Sequence, residues 1–372
     1  YHRLFYLKYL IKFPMKKLNK NNIFLIILTI IPIFTLFIGF VYNEDLSTGG
    51  ARWDFNLTWP IIVDYSNFNF TVATDHFTMA HMPLHYTFLS LLYALFNDQT
   101  IVRLFYLFFS LLLPIFLYLN LTKIYNQNKF IILIFSISFI FFPLFRASAI
   151  WSNSHLSATI FFLIGNYCYL KSKEKNILYY KMLNLLFLSF ALYSIQSYLI
   201  LFLYYLYNYF SSEKFYNFVK LFLFSTILAL PGLFFIMLNP RIAAFDMYVT
   251  QNFFSTILTN FSLIFFFLSF LLFNRENLAI IVYRVKILRK IEILGILFFV
   301  IFIFYIQDLL IFDSRLRGGG FFNKLSYLVL NNNLIFIASS LMGLISAYII
   351  IKHEPKFLYI LIIMNLMSLN YI

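Results

Sequence analysis

The fold is decided by the first long apolar stretch, residues 22–41, which reads NIFLIILTIIPIFTLFIGFV and carries no charged side chain. A twenty-residue α-helix rises about 30 Å, which is the thickness of the hydrocarbon core of a bilayer. The stretch is too long and too apolar for a signal peptide, and no small-residue cleavage site follows it. It therefore predicts a retained first membrane helix.

The rest of the chain has the same character. Of its 372 residues, 62% are hydrophobic, 22% are aromatic and only 11% are charged. Soluble proteins usually contain about 25% charged residues, so this chain has too little polar surface to cover a water-soluble particle. We predict an all-α polytopic membrane protein with about 11 transmembrane helices, at 22–41, 101–121, 130–145, 155–170, 178–193, 198–210, 218–238, 253–273, 291–311, 328–351 and 357–372.

A further apolar stretch, 84–96, is either a short span or a helix that lies on the membrane surface. Loops rich in Lys and Arg stay in the cytoplasm. With 84–96 on the surface and the N-terminus inside, 21 of the 28 Lys and Arg residues fall on the inner side, whereas most fall outside if 84–96 crosses. We therefore expect interfacial helices in the first outer loop, and a multi-pass protein of a bacterial inner (plasma) membrane with a cytoplasmic N-terminus.

This topology sets the domain organisation. Residues 1–21 form a basic cytoplasmic N-terminus, in which Met15 resembles a natural start and would make 1–14 an artefact. We expect 22–372 to form a single transmembrane domain, with 42–100 as the first extracytoplasmic loop. The single cysteine, Cys168, has no partner for an intrachain disulfide.

The first outer loop combines turn, charged and aromatic residues. Residues 47–55 read STGGARWDF, a Gly-Gly turn followed by Arg52 and Asp54. We expect a partly embedded helix to begin near Pro60, because proline suits the first turn of a helix. His81 and His85 stand four residues apart, so a helix that includes both would present them on one face.

Further polar residues gather in three shorter outer loops. In an apolar protein, ionisable groups at membrane depth indicate function. A cavity that holds a carboxylate and several cations suits a phosphate-bearing lipid, since Arg binds phosphate oxygens in a bidentate manner. The candidate substrate-binding residues are Arg52, His81, His85, Arg146, Asn153, His155, Arg241, Arg315, Arg317 and Lys324.

Four features follow one another in the first half of the chain. They are a long first outer loop with an acidic residue near its start, Pro-Leu-x-Tyr at 83–86, an Arg that opens the second span, and Pro-x-x-Arg-x-Ser at 143–148. This order resembles the GT-C superfamily of membrane glycosyltransferases, and more narrowly its protein mannosyltransferase and aminoarabinose transferase branch. The resemblance covers roughly residues 22–200. It implies an enzyme that uses a polyprenyl-phosphate-linked sugar on the extracytoplasmic face, with Asp54 in the position of the acidic catalytic residue.

Such an enzyme needs a base for the acceptor hydroxyl more than an acid for the leaving phosphate. Asp54 would deprotonate that hydroxyl in a single inverting displacement, while arginines stabilise the departing phosphate. Alternatively, Asp54 pairs with Arg52 or caps a turn, and Asp45 is then a weaker candidate for the base.

The histidines leave the question of a cofactor open. His81 and His85 would contact the substrate, complete a divalent metal site with Asp54, or pack at the membrane interface. Family members often carry an acidic residue after the third span, whereas this chain has Asn153 and His155 there. Metal dependence therefore remains an open expectation.

Two other functions share the outer face and the lipid-linked substrate. A transporter or flippase of lipid-linked saccharides would show internal repeats and helices interrupted in mid-membrane, whereas the polar groups here gather in outer loops. A polymerase or ligase of lipid-linked glycans would centre on a larger late loop. The sequence contains no P-loop, dinucleotide fingerprint, zinc pattern or nucleophile elbow. The expected partners are a polyprenyl-phosphate-linked sugar, a glycan, lipid or protein acceptor, and membrane lipids, without nucleic acid.

Overall fold

The computed structural model describes residues 20–47, 50–69, 82–125, 129–238 and 328–353, with isolated helical positions between 258 and 326. All regular structure in these ranges is helical, as predicted, and they contain no strand. The helices are α1 Lys20–Val41, α2 Gly50–Ser66, α3 Leu84–Phe96, α4 Gln99–Ser110, α5 Leu112–Ile124, α6 Lys129–Ser138, α7 Pro143–Ile150, α8 Ser154–Lys175, α9 Leu178–Ser194, α10 Leu199–Ser212, α11 Phe215–Leu238 and α12 Leu334–His353.

Length and composition support fewer spans than the sequence predicts. In the described ranges, two helical stretches are long and apolar enough to cross a bilayer, Gln99–Ile124 and Phe215–Met237. A third results if Lys129–Phe141 and Pro143–Ile150, which are bent by 61° at their junction, count as one span. Helix α3 is too short to cross, which agrees with a surface position. The expected spans 253–273, 291–311 and 357–372 lie wholly or mostly outside the described residues.

The chain divides into two compact units, Tyr1–Asn239 and Pro240–Ile372. In the second unit, Ser339 and Ser340 of α12 contact the segment around Leu258: the Ser339 and Ser262 hydroxyls lie 2.9 Å apart, and Ser340 donates to the Leu258 carbonyl. The candidate site lies in the first unit.

Short polar residues end one helix and begin the next between α3 and α4. Asn97 adopts a left-handed conformation (φ 49°) and its N–H donates to the Tyr93 carbonyl, which closes α3. The adjacent Asp98 carboxylate accepts a hydrogen bond from Ile101 N–H and caps α4. Two residues therefore suffice to turn the chain from the short helix into the first long span.

Helices α8 and α9 form the most extensive interface of the first unit. At Gly165 of α8, an added Cβ would lie 3.2 Å from the Asn184 carbonyl oxygen of α9, so the glycine permits the close approach. The Asn184 side chain donates to the Gly165 carbonyl and accepts from the Tyr209 hydroxyl of α10, at 2.8 and 3.0 Å. In a bilayer, packing at small residues and hydrogen bonds between helices replace the hydrophobic effect as the source of association.

We expect Tyr209→Phe to lower the free energy of unfolding by about 1 kcal/mol, because it removes one interhelical hydrogen bond and leaves the Asn184 oxygen with one partner fewer. Thermal unfolding in detergent measures the change. Tyr207→Phe is the matched control, since Tyr207 lies two residues earlier on the same helix and is 57% exposed. Equal stability of the two variants would show that the Tyr209 hydroxyl contributes nothing to the bundle.

Candidate active site

Helix α2 begins ten residues earlier than the sequence predicts. It starts at Gly50, and Pro60 lies inside it, so the expectation of a helix that begins near Pro60 is wrong. The cause is a cap upstream of the glycines: Ser47 Oγ accepts from Ala51 N–H at 2.7 Å, and Asp45 Oδ2 accepts from Arg52 N–H at 2.9 Å. These bonds satisfy N–H groups that a first helical turn otherwise leaves unpaired.

Asp45, the weaker candidate for the base, thus has a capping role. Partial burial disfavours its charged form, but hydrogen bonds from Ser47 and from Arg52 N–H outweigh it, so the pKa of Asp45 lies below its usual value. A carboxylate of lowered pKa that already binds backbone N–H groups is a poor proton acceptor.

Asp54 lies on the packed face of α2. That face carries the buried residues Phe55, Thr58 and Ile62, and it contacts α3. One residue from Phe55, Asp54 is half-buried in the second turn of the helix. Because α2 begins at Gly50, the Asp54 carboxylate is directed toward the neighbouring elements. The sequence analysis had left open that Asp54 instead caps a turn.

An open cavity lies beside Asp54. It measures about 350 Å³, its mouth included. Its walls come from α2, from the start of α3 and from the turn between α7 and α8. The lining residues of these elements are separated by up to about 100 positions in the sequence. The lining residues are Asp54, Phe55, Thr58, His85, Tyr86, Trp151, Ser152, Asn153, Ser154 and His155. Four sequence-predicted site residues, Asp54, His85, Asn153 and His155, are thus brought together.

His85 joins the parts of this cavity. Its side chain is 2% exposed, and Nε2 lies 2.8 Å from the Ser152 carbonyl oxygen. A carbonyl only accepts hydrogen bonds, so Nε2 carries a proton. Nδ1 lies 2.9 Å from Ser157 Oγ of α8. Both ring nitrogens are therefore engaged, and the histidine fixes α3 to the turn before α8 without offering a nitrogen lone pair to the cavity.

Tyr106 of α4 extends this network. Its hydroxyl donates to the Asn153 carbonyl at 2.6 Å and lies 2.9 Å from Ser157 Oγ. Asn153 in turn caps α8, because its side-chain oxygen accepts from His155 N–H. The buried Tyr106 of α4 thus helps to fix the positions of Asn153 and His155.

Tyr86 places a protonated phenol near Asp54. The side chain is 2% exposed and its hydroxyl is hydrogen-bonded to the Ser154 side chain. Burial raises the pKa of Tyr86; the Ser154 hydrogen bond lowers it in part, and the negative charge of Asp54 raises it further. The phenol therefore remains a hydrogen-bond donor at physiological pH.

Arg146 has a different environment from the one the sequence predicts. Residues 143–150 form the short helix α7, whose first turn contains Pro143. Arg146 Nε and Nη2 each lie 2.7 Å from an oxygen of Glu44, and Nη2 also donates to the Thr35 carbonyl of α1. Gly39 leaves room for this ion pair, because a Cβ there would clash with both partners. Arg146 does not line the cavity.

Two other arginines flank Trp151, which forms one wall of the cavity. The exposed Arg52 lies 5.3 Å from the centre of the Trp151 ring and is not among the residues that line the cavity. Arg103 of α4 stacks at 3.9 Å, is 7% exposed, and donates to the Ile150 carbonyl and to Asn43. Within the described part of the chain, Arg103 forms no ion pair with a carboxylate. Its buried positive charge therefore packs against the Trp151 ring.

Several predicted site residues cannot be located. His81, Arg241, Arg315, Arg317 and Lys324 lie outside the described residues. Where the structure describes the chain, no group of three or more His, Cys, Asp or Glu side chains is arranged to hold a metal ion.

The candidate residues from the sequence did not include Tyr86, Arg103, Tyr106, Trp151 and Ser152, although Tyr86 and Arg103 belong to the features that carry the family resemblance. A signal existed for Tyr86, since it follows His85 on a short helix whose other buried positions, Leu89 and Ser90, lie one turn further on. No comparable signal marks Tyr106, which sits in a uniformly apolar run.

Comparisons of the chain with protein-family models, with curated proteins and with solved structures each gave no match. The functional conclusion below therefore depends on the residues and their geometry.

Proposed function

We propose that this protein is a membrane glycosyltransferase of the GT-C type, which transfers a sugar from a polyprenyl-phosphate donor to an acceptor on the extracytoplasmic face. The proposal includes the finer topology: about eleven spans, a cytoplasmic N-terminus and a position in a bacterial inner membrane. Asp54 is the proposed catalytic residue, and the acceptor is a glycan, a lipid or a protein.

One observation carries the proposal. Asp54 lines an open cavity together with a protonated phenol, an amide, an imidazole and two aromatic rings. Sugar sites combine such hydrogen-bonding groups with apolar surfaces, because a sugar ring presents both hydroxyl groups and C–H faces. The cavity is formed by the first outer loop and the turn that precedes α8, which the basic-residue distribution assigns to the same face.

The chemistry is a single displacement at the anomeric carbon. Asp54 accepts the proton of the acceptor hydroxyl as its oxygen forms a bond to that carbon. The bond from the anomeric carbon to the phosphate oxygen breaks, and the electron pair leaves with the polyprenyl phosphate. The configuration inverts. Tyr86 donates a hydrogen bond near Asp54 and so holds a reacting oxygen or the carboxylate in place.

The phosphate needs positive charge close to the cavity. Arg52 is exposed and lies against Trp151, one of the lining residues, so we assign it the contact with the anionic group. The other predicted donor-phosphate residues, Arg241, Arg315, Arg317 and Lys324, lie outside the described residues. A divalent metal is not required by this scheme.

The direct test is to incubate the purified protein in lipid vesicles with a panel of polyprenyl-phosphate sugars and candidate acceptors, and to determine product masses. We expect one donor to yield a product heavier than its acceptor by one sugar residue. If lipid-linked sugar instead crosses the vesicle membrane while no glycosidic bond forms, the protein is a transporter of lipid-linked saccharides and the proposal fails.

A further inference from the structure

Ser152 carries two unfavourable features at one position. Its backbone has a φ of 48°, in the left-handed region that non-glycine residues seldom occupy. Its side chain is 3% exposed, and within the described part of the chain the hydroxyl oxygen has no hydrogen-bond partner. A strained backbone and an orphaned buried hydroxyl each destabilise a folded protein, and both concentrate at functional sites.

The surroundings impose this conformation. His85 Nε2 holds the Ser152 carbonyl at 2.8 Å, and Trp151 Nε1 donates to the Glu44 carbonyl at 2.9 Å. The N–H of Asn153 donates to the Ser148 carbonyl at 3.0 Å, which closes the turn on the other side. The turn is thus fixed from three directions, while the Ser152 hydroxyl itself takes no part in fixing it.

Ser152 also lines the cavity that contains Asp54. Its neighbours there, Asn153 and Ser154, both have protein partners for their side chains, at His155 N–H and Tyr86 respectively. The Ser152 hydroxyl oxygen is itself enclosed, so a ligand in the cavity reaches it only when a neighbouring side chain moves. No protein hydrogen bond at the hydroxyl has to break first.

We propose that Ser152 is a sugar-binding residue that hydrogen-bonds a ring hydroxyl of the substrate and thereby helps to select the sugar. The inference rests on the proposed function, since it assumes that the cavity takes the donor sugar. A site built to hydrogen-bond a substrate hydroxyl discriminates strongly against analogues that place the hydroxyl elsewhere, because the buried group is then left unpaired.

The test compares Ser152→Ala with wild type and with Ser148→Ala, a control in α7 that does not line the cavity. The probes are radiolabelled geranyl phosphates linked to glucose, mannose or galactose, and geranyl phosphate without a sugar. We expect Ser152→Ala to bind the preferred hexose probe about tenfold more weakly, the effect of one buried hydrogen bond. Binding of bare geranyl phosphate and binding by Ser148→Ala should equal wild type.

Thermal unfolding separates this role from a structural one. Removal of an unpaired buried hydroxyl should leave the melting temperature of Ser152→Ala unchanged or raised, whereas loss of a structural serine would lower it. Unaltered hexose binding by Ser152→Ala, or an equal loss for sugar-bearing and bare probes, overturns the inference alone. If wild type binds none of the hexose probes, the proposed donor class fails and the inference fails with it.

Discussion

We expect Asp54→Asn to abolish sugar transfer while the protein is still made and inserted in the membrane. Asparagine keeps the size and much of the hydrogen bonding of aspartate but does not accept the acceptor's proton at physiological pH. Loss of a general base typically lowers the rate by about 10²- to 10⁴-fold. The measurement is the initial rate of product formation with the donor that the panel identifies, at saturating donor and acceptor.

Asp45→Asn is the matched control for this experiment. It makes the same chemical change nine residues earlier, at the residue that caps α2. The asparagine oxygen still accepts a hydrogen bond from Arg52 N–H, whereas the bonds from Ser47 to the other oxygen are lost. We expect Asp45→Asn to retain transfer. Full activity of Asp54→Asn would remove Asp54 from the mechanism, and loss of activity in Asp45→Asn alone would move the base to the capping residue.

The largest effect on stability is expected from Arg146→Ala. The substitution leaves the Glu44 carboxylate and the Thr35 carbonyl without their cationic partner, in a place where Arg146 is 7% exposed. Breaking a buried ion pair typically costs about 3–5 kcal/mol. Because the Glu44 side chain is 23% exposed, we expect the lower end of that range, measured by thermal unfolding in detergent.

Two comparisons test this interpretation of Arg146. Lys123→Ala breaks the exposed ion pair with Glu174 and should leave stability nearly unchanged, since solvent screens such pairs. The double variant Arg146→Met with Glu44→Gln should recover part of the stability lost in Arg146→Ala. If Arg146→Ala keeps its stability but loses affinity for the donor, the sequence-based assignment of Arg146 to phosphate binding is right and the structural role is wrong.

Much of the fold could be predicted from the sequence. Long apolar runs place the helices α4 to α5 and α11 within a few residues of the expected spans, because in lipid every backbone group must be bonded within its own segment. The prediction failed at Pro60, which was expected to begin a helix. Pro60 lies inside α2, because capping by Asp45 and Ser47 starts that helix ten residues earlier.

The candidate site was only partly predictable for a related reason. Asp54, His85, Asn153 and His155 stand out as polar residues in apolar surroundings, and the structure places all four around one cavity. Arg146 stands out equally, yet it pairs with Glu44 on the far side of the turn. Composition identifies polar side chains but does not reveal which partner each one meets, so it cannot separate an ion pair from a binding group.

The sequence by itself determined that this chain is helical and that its ionisable residues are few and concentrated between apolar stretches, since periodicity and polarity are local properties. Only the tertiary structure decided what each of these groups does. It gave Asp45 and Arg146 partners within the protein, left Ser152 without one, and set Asp54 at a cavity wall. The physical reason is that the free energy of a polar group in an apolar protein depends on its partner. Tertiary packing determines which residues, about 100 positions apart in the sequence, become partners.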